Sequence, residues 1–397
     1  MAKRYGVRCC LAGAALARVG DEMAGPALLL AGLTITGSAV DASWLLAGIT
    51  VSAAVGGPLL GAFLDRAARP GRLLAGALAL YGTGLAVVLV GLGRLPLALT
   101  VSIAVLAGLF GPALSGGWTA QLPRVVASEG LPRANALDAM TFNLASLLGP
   151  ALAGGLAQLL GAPGAVVVAV VLIGLATPMA WRLPPAPGPA PGGASVVADL
   201  TAGIRCITRT RPLARATLTS VISCAAQGML VACAPLLGER VLGGAGHGAM
   251  LLSCTAVSAL ATNAVLARRP GVLAPDTLVR CGALVQAAAL LLAATVHPAL
   301  VVAAAFIAGA GEGPQLTALF AVRHREAPEH LRGQIFTTGA SLKITGFAAG
   351  AAVAGPVATG SLRAALLTAA GVAMGAAVAG GWSDGHLRGG GAVTPTP

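Results

Sequence analysis

Apolar runs of about twenty residues, the length that crosses a bilayer core of about 30 Å, recur along the whole chain and constrain its fold more than any other feature. They cover approximately 9–34, 43–64, 73–91, 97–120, 136–160 and 163–181, then 213–238, 248–267, 276–295, 298–321, 334–358 and 362–381. Turn signals separate them at Arg94-Leu-Pro96, Gly161-Ala-Pro163, His297-Pro298 and Thr359-Gly360. Only 10% of the residues are charged and mean hydropathy is +0.86, whereas soluble domains carry about 25% charged residues. The chain is therefore expected to be an all-α membrane protein of twelve transmembrane helices. Many of the runs are rich in Ala and Gly, which lets helices approach closely in lipid.

Charge narrows the function classes. A net charge of +12 with 3% aromatic residues does not describe a nucleic-acid surface, because the arginines are spread over short loops without stacking partners. Instead they report orientation. With the amino terminus inside, nineteen basic residues fall on the inner segments and three, Arg94, Arg240 and Arg363, on the outer ones. Both termini are expected in the cytoplasm, with the chain multi-pass in the plasma membrane. Lys3 and Lys343 are the only lysines, so no Gly-x-x-x-x-Gly-Lys phosphate loop exists and any transport runs on a gradient or a separate partner. The seven cysteines form no CxxC pair and read as small buried hydrophobes. Histidines lack ligand spacing, and no Ser/His/Asp or paired-carboxylate set looks catalytic. No metal, cofactor or enzyme activity is expected.

Met1–Arg8 is basic and precedes the apolar stretch Cys9–Ala17. It reads either as a signal peptide or as the start of one helix with a polar middle at Arg18–Glu22. The connector Arg182–Pro212 is proline-rich, and its part Ser195–Arg211 suits an amphipathic helix on the inner leaflet. It divides the chain into 1–181, the connector 182–212, a second bundle 213–382 and a tail 383–397. The halves look related: Pro112 and Pro314 are 202 residues apart, and Gly154 and Gly355 are 201 apart. A near-constant offset points to a parallel repeat of two six-helix bundles.

The short connector Gly61-Ala-Phe-Leu-Asp65-Arg66-Ala-Ala-Arg69-Pro-Gly-Arg72 resembles the loop after the second helix in the major facilitator superfamily. Gly61, Asp65, Arg66 and Arg69 fall on that family's pattern; Ala68 and Pro70 depart from it. Arg18-Val-Gly-Asp21 resembles the first helix of its drug-efflux and macrolide-type exporters, and Gly149-Pro150 with Gly154 resembles their helix-bending motif. The loop from Arg323 to Arg332, with Arg124 and Arg133, resembles the family's inner loops. The resemblance implies a pseudo-twofold pair of bundles, alternating access, and a gate network of Asp65, Arg66, Arg69 and Arg124 that holds the outward-facing state. The fourth span lacks the arginine usual in drug/proton antiporters.

Charges inside a span face a polar path or pair with one another. Arg18 can reach Asp21 and Glu22 at i+3 and i+4, a self-neutralising cluster. Alternatively Asp21 or Glu22 carries a proton, Asp21 being favoured. Glu312 is a further proton candidate, either coupled to Lys343 or separate from it. Arg18, Asn143, Gln227, Asn263, Gln315 and Lys343 are candidates to line a midplane pocket. The expected function is proton-coupled efflux of a small amphipathic compound, drug or secondary metabolite, by a monomer in the bilayer. A metabolite importer of the same fold and a non-transporting scaffold or receptor are the alternatives.

Overall fold

The computed structural model describes residues 2–185, 196–244 and 246–381. The tail expected at 383–397 and the proline-rich part of the connector, 186–195, lie outside the described residues. The chain forms α1 (Ala2–Thr36), α2 (Ala39–Arg66), α3 (Pro70–Gly91), α4 (Leu97–Gly108), α5 (Leu122–Val125), α6 (Leu131–Trp181) and α7 (Val196–Arg209). It continues with α8 (Arg211–Leu242), α9 (Gly246–Arg268), α10 (Pro275–Ala293), α11 (Pro298–Glu326), α12 (Arg332–Gly360) and α13 (Leu362–Gly381). No strand occurs among the described residues.

Ten stretches among the described residues have the length and apolarity to cross a membrane. One contains all of α6, whose 51 residues break at Gly161, where φ is 79°; glycine alone adopts that conformation without cost, and the two legs cross separately. α1 adds a crossing of 35 residues, made less apolar by Arg18, Asp21 and Glu22. Twelve crossings result, as the run lengths predict. Prolines open α3, α10 and α11, where their missing N–H costs nothing. After α4, Pro112 cannot donate to the ladder and the backbone relaxes into a π-helical turn at Ala113–Gly117.

Buried apolar side chains gather in two large clusters, one running from Cys10 to Ala180 and the other from Ala226 to Ala373. Between them α2 packs on α12, and α6 on α9. The repeat seen in sequence recurs as packing. Gly149 presses on Glu22 and Met23 of α1, and Gly350 on Ala225 of α8. Gly154 and Gly355 instead both face space that is open to at least 4 Å. The backbone stays helical through Pro150; the break in α6 lies at Gly161.

The amphipathic helix expected in the connector is α7, and it docks across both halves. Asp199 accepts from Arg66 of α2 at 2.5 Å. The Leu200 carbonyl accepts from Gln334 Nε2 of α12 at 3.1 Å. Ile207 is buried with Leu213, Leu331 and Ile335.

The matched glycines give a paired test. Gly350→Val forces a branched side chain into the α8 backbone and should cost about 1–3 kcal/mol, read as a lower melting temperature of the purified protein. Gly355→Val should melt close to the parent.

Candidate functional site

The best-anchored charge in the first half is Arg18, 2% exposed. Its guanidinium donates to Asp138 Oδ1 at 2.8 Å and Oδ2 at 3.4 Å. It also donates to Thr119 Oγ1 at 2.9 Å, to Thr141 Oγ1, and to the carbonyls of Ser115 at 3.0 Å and Leu114 at 3.3 Å. Those two carbonyls belong to the π-helical turn, whose altered ladder turns them toward a side-chain donor. Thr119 donates in turn to Asp138 Oδ2 at 2.7 Å. One buried pair thus joins α1, the π turn and α6.

This geometry replaces the self-neutralising cluster expected within α1. Arg18 turns to Asp138, which satisfies it together with two hydroxyls and two carbonyls, while Asp21 accepts from Tyr81 of α3 at 2.6 Å. Asp138 was not among the sequence candidates, because it sits at the start of a span beside loop-like residues. The signal was there: a carboxylate inside a crossing requires a partner. The fourth span carries no arginine of its own, yet Arg18 delivers a guanidinium onto it.

Glu22 is exposed near the middle of α1, with no hydrogen bond or ion pair among the described residues. In the second half Glu312 stands beside Gln227 and faces the charge of Lys343, which also reaches Cys224. The nearness of Glu312 to Lys343 is one of the two readings of the sequence; the share of α8 in the group, through Gln227 and Cys224, is not legible across so long a separation. Asn263 accepts from Thr317 at 2.9 Å. Gln315 donates to Ser223 Oγ and to the Val279 carbonyl, each at 3.1 Å. These two bind helices together inside the second bundle. Asn143 is buried and its amide nitrogen has no partner.

At the Arg-rich end the halves are tied together. Asp65 accepts from the backbone N–H of Gly333 at 2.7 Å and of Gln334 at 2.8 Å, the free amides of the α12 amino terminus, where the helix dipole favours a carboxylate. Gly61 lets α2 lie directly on Gln334 and Thr337. Arg124 feels both Asp65 and Glu329, although burial is the larger influence and lowers its pKa. Arg66 binds Asp199, and Arg69 caps α3 through its backbone position without a side-chain hydrogen bond. Thr337 Oγ1 donates to the Gly57 carbonyl at 2.7 Å, and His324 Nε2 lies 3.1 Å from the Thr119 carbonyl.

Three of the seven phenylalanines meet across this seam. Phe142 of α6 lies 5.6 Å from Phe320 of α11, and Phe320 lies 6.1 Å from Phe336 of α12, centroid to centroid. Arg18 stacks on Phe142 at 3.7 Å and His324 on Phe336 at 4.5 Å. Arg323 and His324, expected in an inner loop, belong to α11 and are buried. The helix simply runs further than its apolar stretch.

Twelve crossings among the described residues, in two similar halves tied together at the Arg-rich end and carrying charged groups within the crossings, define a membrane transport protein. The sequence profile of the Major Facilitator Superfamily matches residues 10–337, and the chain belongs to that superfamily. It is 28% identical over 381 residues to an uncharacterised MFS-type transporter, y4rN, of Sinorhizobium fredii, covering 93% of this chain and 92% of the relative. Solved structures share the fold at 17% identity. The human organic anion transporter MFSD10 superposes with a TM-score of 0.78 over 96% of this chain and all 100% of its own. A bacterial homologue of the iron transporter ferroportin, outward-facing, gives 0.76 over 95% and 99%. FucP in its outward conformation gives 0.70 over 96% and 99%.

Asp138→Ala strands Arg18 without its counter-ion and should cost about 3–5 kcal/mol, seen as a fall in melting temperature in detergent. The double replacement Arg18→Met with Asp138→Leu removes both charges and should recover most of the loss. A double variant as unstable as the single one would count against the pair.

Proposed function

We propose that this transporter exports a small amphipathic compound in exchange for protons, by rocking of the halves 1–181 and 213–382 about a midplane site. The observation that carries this reading is Glu22: an exposed carboxylate near the middle of a crossing, without a partner, in a structure sealed at the Arg-rich end. A carboxylate there is costly as an anion, so binding and releasing a proton is the change its surroundings favour. Glu22 is the first acceptor, ahead of Asp21, whose carboxylate is already engaged by Tyr81. Glu312 is the corresponding acid of the second half, with Lys343 competing for it.

The Arg-rich end is the cytoplasmic one by the charge rule, which makes the described state outward-facing and puts both termini in the cytoplasm of a plasma-membrane protein acting as a monomer. Asp65 on the α12 amino terminus, α7 and the phenylalanine contacts form the closed inner gate. The related solved transporters are named for organic anions, for iron and as a fucose:proton symporter; their shared fold supports transport, and one of the three is named for protons. The substrate must be read from this chain's own side chains.

Glu22→Gln should reach the membrane at parental levels and lose gradient-driven efflux, with accumulation in cells equal to that without the protein. Collapsing the proton gradient should do the same to the parent. Efflux by the parent that ignores the collapse would sink proton exchange.

A further inference from the structure

The two halves repeat one another, and the repeat breaks at a charge. Gly339 stands 201 residues after Asp138, the offset that also relates Gly149 to Gly350 on the same two helices. In the first half this position supplies the carboxylate that binds Arg18. In the second half the side chain is missing, and the guanidinium of Arg323 lies against Gly339 itself.

Arg323 is 2% exposed. Its Nε and Nη2 have no hydrogen-bond partner, and it makes no ion pair among the described residues. Its surroundings are the Phe336 ring, 5.7 Å from the guanidinium carbon to the centroid, and the Cys224 thiol. The neighbouring His324 is buried as well, with an unpartnered Nδ1. The acid of this half, Glu312, is opposed by Lys343. A ring face at that distance offsets little of the cost of a buried charge. A guanidinium in such a place is short of one oxyanion.

We infer that Arg323 recognises an anionic group of the substrate, a carboxylate, sulfonate or phosphate ester, which takes the place that the Asp138 side chain fills in the other half. The inference rests on the transport reading and names its substrate class. In the described state Arg323 is buried beside Phe336, which in turn packs on Phe320; parting these contacts opens it to the Arg-rich side. The planar fork of the guanidinium then binds the oxyanion through two parallel hydrogen bonds. In export the anion enters at this end and leaves through the other after this end has closed; its departure strands the cation again, and that favours reopening.

The test uses the purified full-length protein with 1-naphthoate, its uncharged methyl ester and inorganic phosphate, followed by thermal shift. Naphthoate should raise the melting temperature and the ester should not. Arg323→Gln should weaken naphthoate binding by about tenfold or more, the loss of a charge-assisted hydrogen bond, and Arg323→Lys by less. Without ligand, Arg323→Gln should melt no lower than the parent, because it removes a stranded charge; a merely structural arginine would show the reverse. Equal naphthoate binding by parent and Arg323→Gln overturns the inference, as does ester binding as tight as acid binding. Phosphate binding as tightly as naphthoate would make this an inorganic anion site and overturn substrate recognition. Flux into proteoliposomes separates the two readings. Arg323-dependent naphthoate binding without any flux would sink transport and leave the anion site standing, whereas flux of other compounds with naphthoate ignored would do the opposite.

Discussion

A guanidinium buried in a bilayer protein is costly unless a partner neutralises it, and Arg18 organises the first half around that need. Its partner Asp138 must come from α6, its carbonyl acceptors from a turn whose ladder has been widened, and its hydroxyls from Thr119 and Thr141. Each demand fixes another element. The π-helical turn follows Pro112, the start of α6 must lie at the depth of Arg18, and Phe142 one residue beyond Thr141 arrives beneath the guanidinium. From Phe142 the contacts continue through Phe320 to Phe336 in the other half. A local electrostatic requirement thus sets the place where the two bundles meet.

Twofold repetition supplies the scaffold and its exceptions supply the chemistry. Gly149 and Gly350 bring the fifth and eleventh crossings against α1 and α8 in the same way. On that shared frame one half places an ion pair and two further acids, whereas the other places Glu312, Lys343 and an arginine with no carboxylate. Small residues at the helix contacts serve close packing in lipid, where van der Waals fit takes the part that hydrophobic burial plays in water.

The crossings were legible in the sequence because bilayer thickness imposes a length on every one of them, and the repeat because glycine and proline spacing survives where apolar residues interchange freely. The charged loop around Asp65 was legible too, down to the residue that meets the α12 amino terminus. Partners were not. Nothing local distinguishes Asp21, 3 residues from Arg18, from Asp138, 120 residues away; only tertiary packing chooses. By composition Arg323 falls in a loop, since the hydrophobic stretch has ended, but α11 continues as a buried helix past the point where its composition turns polar. Asp21 and Glu22 are adjacent, and which one faces the free volume depends on the rotation of α1 set by its contact with Gly149.

The bond between Tyr81 and Asp21 has a practical side. The chain contains 2 tyrosines, and this one is wholly enclosed, its phenol resting on a carboxylate at 2.6 Å. Vibrational and ultraviolet difference spectra of such a phenol shift when its acceptor gains or loses a charge. Against so sparse an aromatic background, the molecule carries its own spectroscopic reporter at mid-membrane, and isotopic labelling of a single residue type would suffice to listen to it.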